Sequence, residues 1–533
     1  MTADLVITGA AIYGTPATAI AIRAGRIAAL GDAALAMTGP KTERLELPGR
    51  LVVPGFQDAH VHTPYAGRDL LRVCLNELDG KDAYLAAISA YAQAHPDEEW
   101  ITGGGWSMEH FPGGVPSKVD LDRIVPDRPV FLFNRDVHGA WVNSAALRIA
   151  GITAQTPDPS DGRIERDAAG EPVGMLQEGA AYTFRDRWLP ALSRQDWEAA
   201  ILRGQQFLHR LGITGWQDAW VTPETLAAYR SLDDAGKLTA RVAGALWWER
   251  HAGLEQIPAF VEQASWGSGG NISVRTVKIM ADGVLENYTG AVLEPYHDGC
   301  GGRTDNVGLS YVDSDTLAAA VTELDRIGFG VHMHAIGDRA ARDCLDAVAA
   351  ARKANGDSEN RHHIAHIQMI DPADVPRFAQ LGVTANMQAY WAQRDDQMEE
   401  LTRPYLGAER TDRMYPFADL KNAGARLAAG SDWPVSTPDP LAQIEVAARR
   451  ISPLRRDDQP FLPEQAVSVR DSLDAFTKGS AFVSYDDEAG EIAVGKRADL
   501  AVLDRDILAI PDAKVADASV ELTIAAGHVV HTR

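Results

Sequence analysis

The stretch of this chain that most limits its fold is a run in which apolar, strand-like segments alternate with Ala- and Leu-rich helical segments. In order, the segments are VRTVKIM, TLAAAVTELDRIG, FGVHMHA, RAARDCLDAVAAARKA, HHIAHIQ, DVPRFAQLG and VTANMQ. Strands separated by helices pair in parallel, and a series this long favours a closed (β/α)8 barrel over an open sheet. We therefore predict an α/β fold built on a TIM-like barrel.

The two ends of the chain have a different pattern from its middle. Residues 4–53 read as short alternating strands with turn glycines, and the stretches ADLAVLDRD and VELTIAAGHVVHTR repeat that pattern near the C-terminus. We predict a small composite β-sandwich domain from residues 1–53 and 483–533, and a barrel domain over residues 54–482. Residues 68–178 are rich in Gly, Pro and Trp, and we predict that they form an insertion over the barrel mouth.

Length, charge and cysteine content exclude several classes of protein. A chain of 533 residues can bury a large core, and its formal net charge of -23 argues against nucleic acid and anionic membrane surfaces as partners. The three cysteines, Cys74, Cys300 and Cys344, are far apart, which argues against a disulfide framework or a thiolate zinc site. The N-terminal stretch has no basic region, and no window approaches 18 uninterrupted apolar residues. We expect a cytoplasmic protein that does not span a membrane.

Histidines and one aspartate cluster where the predicted barrel strands end, which is where catalytic side chains of such barrels lie. In PGFQDAHVH, an extended strand would direct His60 and His62 to the same side, although such a pair also arises by chance. The further candidates at strand ends are His332, His334, His362, His363, His366 and Asp432. Imidazole and carboxylate are ligand types that suit zinc and similar ions, so the pattern indicates a metal site. Spacing alone does not choose between His332 and His334.

Lys278 lies inside the apolar strand VRTVKIMADG, where an unpaired ammonium would be costly to bury. One interpretation is a lysine that reaches the rim of the barrel or pairs with a carboxylate such as Asp282. The other is a lysine carboxylated by carbon dioxide, whose carbamate would bridge two metal ions. Burial favours that reaction, because it lowers the pKa and only the neutral amine attacks carbon dioxide.

Several motifs along the chain resemble those of the amidohydrolase superfamily, most closely its amidohydrolase 3 branch of YtcJ-like and N-substituted formamide deformylase-like proteins. They are VVPGFQDAHVH, GGGW, HGAWVNSAALRIAGIT, MLQEGA, KIMADG, HMHAIGDRA, GSDWPV and GEIAVGKRADLAVLD. The resemblance extends over nearly the whole chain, and the order and spacing of the motifs make it specific.

The resemblance implies a divalent metal, with zinc expected, at one or two ions per chain. The positions that match metal ligands of the family are His60, His62, Lys278, His334, His366 and Asp432. Asp432 would also transfer the proton. His138, in DVHGAWVNS, would bind the substrate carbonyl or the polar end of the substrate, unless it is a histidine that only packs in its loop. His332 would then support the site or pack beside it, and His362 and His363 would belong to the start of their strand.

The reaction implied by the resemblance is hydrolysis of a C–N amide-type bond, not a peptide bond, in an N-acyl or N-formyl amine, by attack of metal-activated hydroxide. The same site could instead cleave a cyclic amide, a carbamate or an ester, and a non-catalytic binding or regulatory relative is a further alternative. The expected partner is a small-molecule substrate, and a homodimer is an expectation from the family alone.

Four aromatic residues are candidates for the walls of the substrate pocket: Trp106, Trp141, Tyr288 and Trp433. The alternative for each is ordinary packing in the core. After KIMADG the chain continues VLENYTGAVLEPY, where relatives commonly have small residues, so Glu286, Asn287 and Tyr288 are expected to shape a pocket particular to this chain.

Overall fold

The computed structural model describes residues 1–76, 78–300 and 302–533. Its central feature is an eight-stranded sheet in which every neighbouring pair is parallel. In chain order its strands are β1 (Phe56–Val61), β2 (Ile213–Val221), β3 (Arg241–Trp247), β4 (Ile272–Met280), β5 (Gly330–Ala335), β6 (His363–His366), β7 (Thr384–Met387) and β8 (Leu427–Ala429). The predicted TIM-like barrel is confirmed.

The first and last strands of this sheet meet at their carboxyl ends. The backbone N–H of Asp432, just after β8, donates to the carbonyl of His60 at 2.7 Å, and the N–H of His62 donates to the carbonyl of Trp433 at 2.9 Å. Asn386 in β7 also reaches across, donating from Nδ2 to the carbonyl of Ala59 at 3.0 Å. Segments that are remote in sequence therefore meet at one end of the barrel.

A helix follows each barrel strand, in chain order Arg194–Arg210, Pro223–Asp234, Ile257–Gly267, Ser314–Arg326, Asp338–Asn355, Val375–Leu381, Phe417–Asn422 and Pro440–Arg449. The helix Asp338–Asn355 shows why they form, because its buried Ala341, Leu345 and Val348 recur at helical spacing and give it one apolar face. The other α-helices are Asp32–Leu35, Thr63–Asp69, Lys81–Ala94, Lys118–Ile124, Ser144–Ala150, Gly179–Trp188, Arg403–Leu406, Ala408–Thr411, Val469–Asp474 and Ser480–Val483. Within the described ranges no helix is both long and apolar enough to cross a membrane.

Two smaller sheets contain the ends of the chain. One has the strand order Arg26–Leu30, Ala19–Arg23, Leu5–Thr8 and Glu43–Glu46, and the other has the order Ala11–Ile12, Leu51–Pro54, Leu500–Leu503, Val520–Ala525 and His528–Thr532. Apolar residues from both ends, including Ile7, Ile22, Leu500 and Ile524, form one buried cluster. The two ends thus pack together, while the domain boundaries given above remain predictions.

A third additional sheet lies within the segment between β1 and β2. Its six strands, in spatial order, are Gly162–Arg166, Pro172–Glu178, Gly139–Val142, Val130–Asn134, Ile101–Trp106 and Val73–Cys74. One buried apolar cluster lies wholly within this segment, and a second lies within it except for Leu401. Asp136, His138 and Asp161 from this segment line the same cavity as residues at the ends of the barrel strands. The segment therefore contributes one wall of the cavity at the barrel mouth.

Candidate metal centre and active site

The ends of β1, β6 and β8 bring four predicted ligands together. The Nε2 atoms of His60 and His62 lie 3.1 and 2.9 Å from Oδ1 of Asp432. Nδ1 of His366 lies 3.9 Å from Oδ2 of the same carboxylate. One potential ligand atom from each of His60, His366 and Asp432 lies within 4.8 Å of the others, and all three residues are buried. This spacing is suited to a single ion held between them.

The backbone turns sharply where these ligands lie. His366 has φ 78° and Asp432 has φ 56°, a left-handed conformation that is costly for residues other than glycine. Fixed hydrogen bonds stabilise the turns, since Gln388 Oε1 accepts from the N–H of His366 at 2.6 Å. Asp58 Oδ1 accepts from the N–H groups of His60 and Ser431 at 3.0 Å each. The strain is therefore held at the residues that form the site.

Lys278 lies in β4 with 1% of its surface exposed and lines the same cavity. Burial lowers the pKa of its amine to about 7, and the charge of Asp432 opposes that shift only in part. Asp282 is engaged elsewhere, accepting backbone N–H bonds from Ala291, Ile336 and Gly337 at 2.8, 3.0 and 2.8 Å. The structure thus agrees neither with a lysine that reaches the rim nor with a pair between Lys278 and Asp282.

The imidazoles of His60, His334 and His366 are held neutral, which is the form that binds metals. Burial lowers the pKa of His60 to about 3 and lowers those of His334 and His366 well below the usual range. Nε2 of His334 lies 3.1 Å from the carbonyl of Gly283, which can only accept, so Nε2 carries the proton and Nδ1 keeps its lone pair. Nε2 of His332 lies 2.9 Å from Nδ1 of His60 and orients that ring.

The donor atoms of this cluster fit a divalent cation. Among the described residues, the buried polar atoms without a hydrogen-bond partner include Nδ1 of His62 and Nδ1 of His366. Leaving such atoms unsatisfied costs about 1–3 kcal/mol each, and a cation among them would remove that cost. Neutral imidazole with carboxylate is the donor set of zinc and of similar first-row ions.

His138 reaches the cavity from the inserted segment and is paired with a buried glutamate. Its Nδ1 lies 2.9 Å from Oε2 of Glu178, whose Oε1 accepts from Oγ1 of Thr289 at 2.8 Å. Burial alone would lower the pKa of His138, but the Glu178 carboxylate raises it to about 9. The ring centroid of His138 lies 5.8 Å from that of His334. His138 therefore faces the ligand cluster as a hydrogen-bond donor, in contrast to the interpretation as a loop-packing residue.

A cavity of about 170 Å³ adjoins the ligand cluster and also exposes Lys278 and His334. Several of its walls are residues that sequence reasoning missed: Tyr182, Arg185, Trp220, Trp247, Arg250, Tyr311 and Trp391. The Trp391 ring stacks on His366 with centroids 5.1 Å apart, and the Trp220 ring meets His62 at 6.3 Å. Trp220 and Trp247 lie at the ends of β2 and β3, so the rule used for the histidines would have found them had it been applied to those strands.

Two of the four aromatic residues predicted to line the substrate pocket lie outside the cavity at the ligand cluster. Trp106 and Trp141 are fully buried in the core of the inserted segment, with ring centroids 6.0 Å apart. Their indole N–H groups donate to the carbonyls of Leu132 and Ser117 at 2.9 and 3.0 Å. Neither lines the cavity at the ligand cluster, so the structure agrees with the packing alternative for both.

The remaining two predicted walls are also displaced from the ligand cluster. Tyr288 packs against Tyr405 and Tyr296 with ring centroids 4.8 and 5.8 Å apart. Trp433 stacks on Phe207 at 5.0 Å and lines a neighbouring cavity of about 460 Å³. Trp433 is therefore the one of the four that reaches a cavity next to the site.

His362 and His363 lie at the start of β6, where the resemblance placed them. Nε2 of His362 lies 2.9 Å from Oδ1 of Asp325, away from the ligand cluster. The His363 ring packs edge-on against His332 with centroids 4.1 Å apart. Neither has a ligand atom within the compact group formed by His60, His366 and Asp432.

Comparison with known proteins identifies relatives over nearly the full length. A family model described as Amidohydro_3, the amidohydrolase family, matches residues 45–531. The Bacillus subtilis (strain 168) protein YtcJ, whose name describes it as an amidohydrolase, is 30% identical over 508 residues, which cover 93% of this chain and 91% of YtcJ. The N-substituted formamide deformylase of Arthrobacter pascens is 28% identical over 514 residues, covering 92% of this chain and 90% of that protein. The crystal structure of an uncharacterized metal-dependent hydrolase from Pyrococcus furiosus superposes with a TM-score of 0.72 at 25% identity, covering 95% of this chain and 99% of that one.

Proposed function

This chain belongs to the amidohydrolase family and is a metal-dependent hydrolase, and from that premise we propose that it cleaves the C–N bond of a small N-acyl or N-formyl amine. The observation that carries the proposal is the meeting of His60, His62, His366 and Asp432 opposite the donor His138. A relative named for deformylation of N-substituted formamides supports C–N cleavage over other bonds.

The residues proposed to hold one or two divalent ions, with zinc expected, are His60, His62, Lys278, His334, His366 and Asp432. When bound, such an ion supplies a Lewis acid and lowers the pKa of a water to about 7. Because Asp432 lies against two imidazoles and at the cavity wall, its carboxylate is placed to take a proton from an attacking water and return it to the leaving nitrogen.

His138 acts on the other reacting atom, the carbonyl oxygen. Glu178 holds Nδ1 of His138, which leaves Nε2 of the ring to donate to that oxygen as it gains negative charge. The rings of Trp220 and Trp391 stand beside His62 and His366, where they exclude water from the reacting bond and contact the apolar part of the substrate. The products are a carboxylic acid and an amine.

The test begins with metal content per chain, measured by elemental analysis on protein purified without chelator in the presence of bicarbonate. The loaded protein is then offered an N-formyl amine, an N-acetyl amine, a cyclic amide, a carbamate and an ester that share one apolar group. We expect one or two equivalents of metal and fastest release of amine from the N-formyl or N-acetyl compound. Fastest turnover of the cyclic amide, carbamate or ester would transfer the proposal to that class. If protein with its full complement of metal hydrolyses none of these five compounds, the result would favour the alternative that the chain is a non-catalytic binding or regulatory protein.

A further inference from the structure

Two arginines line the cavity at the ligand cluster, although the chain as a whole is strongly acidic. Arg185 belongs to the helix Gly179–Trp188, and Arg250 lies after β3. Neither takes part in the chemistry described above. We propose that Arg185 and Arg250 form an anion subsite that binds a carboxylate group of the substrate, an assignment that rests on the proposed amide hydrolysis.

Arg185 is held in place by aromatic rings while keeping a free donor. Its guanidinium carbon lies 4.9 Å from the ring centroid of Trp220 and 5.6 Å from that of Tyr182. Nε donates to Oδ1 of Asp186 at 2.6 Å, so one side of the guanidinium is occupied. Nη1 is a buried donor without a hydrogen-bond partner among the described residues. A buried charged donor without an acceptor is costly, and a ligand carboxylate would satisfy it.

Arg250 is held in a similar way on the other side of Tyr182. Its guanidinium carbon lies 5.4 Å from the Tyr182 ring centroid and 4.2 Å from that of Tyr311. Nη2 forms an ion pair with Oδ2 of Asp161 at 2.9 Å. The Tyr182 ring therefore has two guanidinium groups within cation–π distance, and both arginines line one cavity. Stacked guanidinium groups are preorganised for planar, two-point recognition of a carboxylate.

The subsite lies close to the reacting groups. The Trp220 ring that contacts Arg185 also meets His62, at 6.3 Å between centroids. The Tyr182 hydroxyl lies 3.5 Å from Nδ1 of His138. One aromatic ring thus separates Arg185 from the ligand cluster, and one separates it from the proposed carbonyl donor. A carboxylate bound here would be a few bonds from the scissile amide, as in an N-acyl or N-formyl amino acid.

The charges around the subsite favour a singly charged group. Asp161 and Asp186 each already pair with one of the two arginines, so their two carboxylates balance the two guanidinium charges and leave no excess of positive charge. A doubly charged phosphate would be repelled more strongly by those carboxylates than a single carboxylate would. Inorganic phosphate is therefore a suitable competitor with which to test the preference.

The experiment compares two substrates that differ only in the anionic group, N-formyl-phenylalanine and N-formyl-phenethylamine, on the metal-loaded protein. We expect kcat/KM to be about 10-fold or more higher for the carboxylate compound, since one charge-assisted hydrogen bond is worth about that factor. Arg185→Met should lower kcat/KM for the carboxylate compound at least several-fold more than for the neutral compound, and Arg185→Lys should retain part of the preference. Arg187→Met, on the same helix and exposed, should behave as the wild type.

Direct binding separates failure of the subsite from failure of the proposed reaction. The metal-loaded protein is titrated by calorimetry with 3-phenylpropanoate, which cannot be hydrolysed. Its binding should weaken at least several-fold in Arg185→Met. Inorganic phosphate should compete only poorly with it. Such binding without hydrolysis of either substrate would uphold the subsite and count against amide hydrolysis. Equal hydrolysis of both substrates by the wild type, or an equal loss on both in Arg185→Met, would overturn the subsite while leaving the reaction in place.

Discussion

Nδ1 of His138 lies 2.9 Å from Oε2 of Glu178, and both side chains are buried. The second carboxylate oxygen of Glu178 is held by Oγ1 of Thr289 at 2.8 Å. The orientation of the carboxylate is thereby fixed from both sides, and it fixes the imidazole in turn. This relationship connects the end of the strand Pro172–Glu178 in the inserted segment to the reacting groups of the barrel.

The first prediction follows from that contact. Glu178→Gln should lower kcat by about 10- to 100-fold, the usual effect of removing a partner that orients a functional histidine, because an amide does not hold the His138 ring in its charged, donating form. Metal content should stay at the wild-type level, since Glu178 is not one of the residues proposed to hold metal. Steady-state kinetics with parallel elemental analysis would check both. The exposed Glu171→Gln is the control, and wild-type kcat in Glu178→Gln would remove the pair from the mechanism.

The second prediction concerns the proton carrier. Asp432→Asn should keep the fold and most of the metal but lower turnover by about 10²- to 10⁴-fold, the range that general acid–base catalysis contributes. The amide is nearly isosteric with the carboxylate, so the packing around His60 and His62 is retained. Circular dichroism, metal content and kcat measured on one preparation would check it. Asp412→Asn, at an exposed position, is the matched control, and wild-type turnover in Asp432→Asn would assign the proton transfer to another group.

The third prediction tests the buried lysine. Lys278→Ala should lower the metal bound per chain, because Lys278 lies in β4, lines the same cavity as the ligand cluster and is one of the residues proposed to hold metal. If the amine is carboxylated, added bicarbonate should raise metal loading in the wild type and leave Lys278→Ala unaffected. Elemental analysis across a bicarbonate series measures this. The exposed Lys353→Ala should match the wild type, and full loading of Lys278→Ala would exclude the lysine from the metal site.

The fourth prediction concerns stability away from the site. Asp325 is buried and accepts hydrogen bonds from Ser358, Asn360 and Asn355, with Nε2 of His362 2.9 Å from its Oδ1. Burial would raise the pKa of Asp325, but these donors lower it below its usual range. Asp325→Asn should therefore lower the free energy of unfolding at pH 7 by about 2 kcal/mol, as expected for loss of hydrogen bonds to a buried charge.

The pH dependence of that effect has a definite sign. In the unfolded chain an aspartate titrates near pH 4, whereas Asp325 in the folded chain stays ionised to lower pH, so its contribution is present above about pH 4 and is lost as the pH falls further. The difference between wild type and Asp325→Asn should consequently shrink between pH 7 and pH 3. Urea unfolding at several pH values measures it, with the exposed Asp357→Asn as control. A difference that does not vary with pH would indicate that the loss comes from packing alone.

Much of the fold was predictable because it depends on local patterns. Buried parallel strands are apolar, and the helices between them carry apolar residues at helical spacing, so the strands β4 to β7 and their helices were recognised from sequence. The rule that parallel strands present their carboxyl ends at one edge of a sheet predicts that the histidines of β1, β5 and β6 lie close to Asp432. Their association follows from topology more than from any detail of packing.

The choice among neighbouring side chains needed the tertiary structure. His332 and His334 have the same spacing pattern, yet His332 contacts His60 whereas His334 lies against Gly283 and the ring of His366. Likewise, the inserted segment buries Trp106 and Trp141 in a core of its own. The aromatic residues that line the cavity include Trp220 and Trp391 instead. Periodicity indicates that a side chain is buried, but not which of several cores it enters.

By itself, then, the sequence determined the barrel and the residue types available at its mouth, because strand and helix patterns and the order of elements are local properties of the chain. Only the tertiary structure decided which groups meet. Asp58 and Ser431 are bonded across 373 residues of sequence, Glu178 reaches His138 from another strand, and Arg185 borders the cavity from an inserted helix. The contact between Asp58 and Ser431 arises from closure of the barrel sheet, and those of Glu178 and Arg185 arise from the packing of the segment between β1 and β2 at the barrel mouth. Neither leaves a local pattern in the sequence.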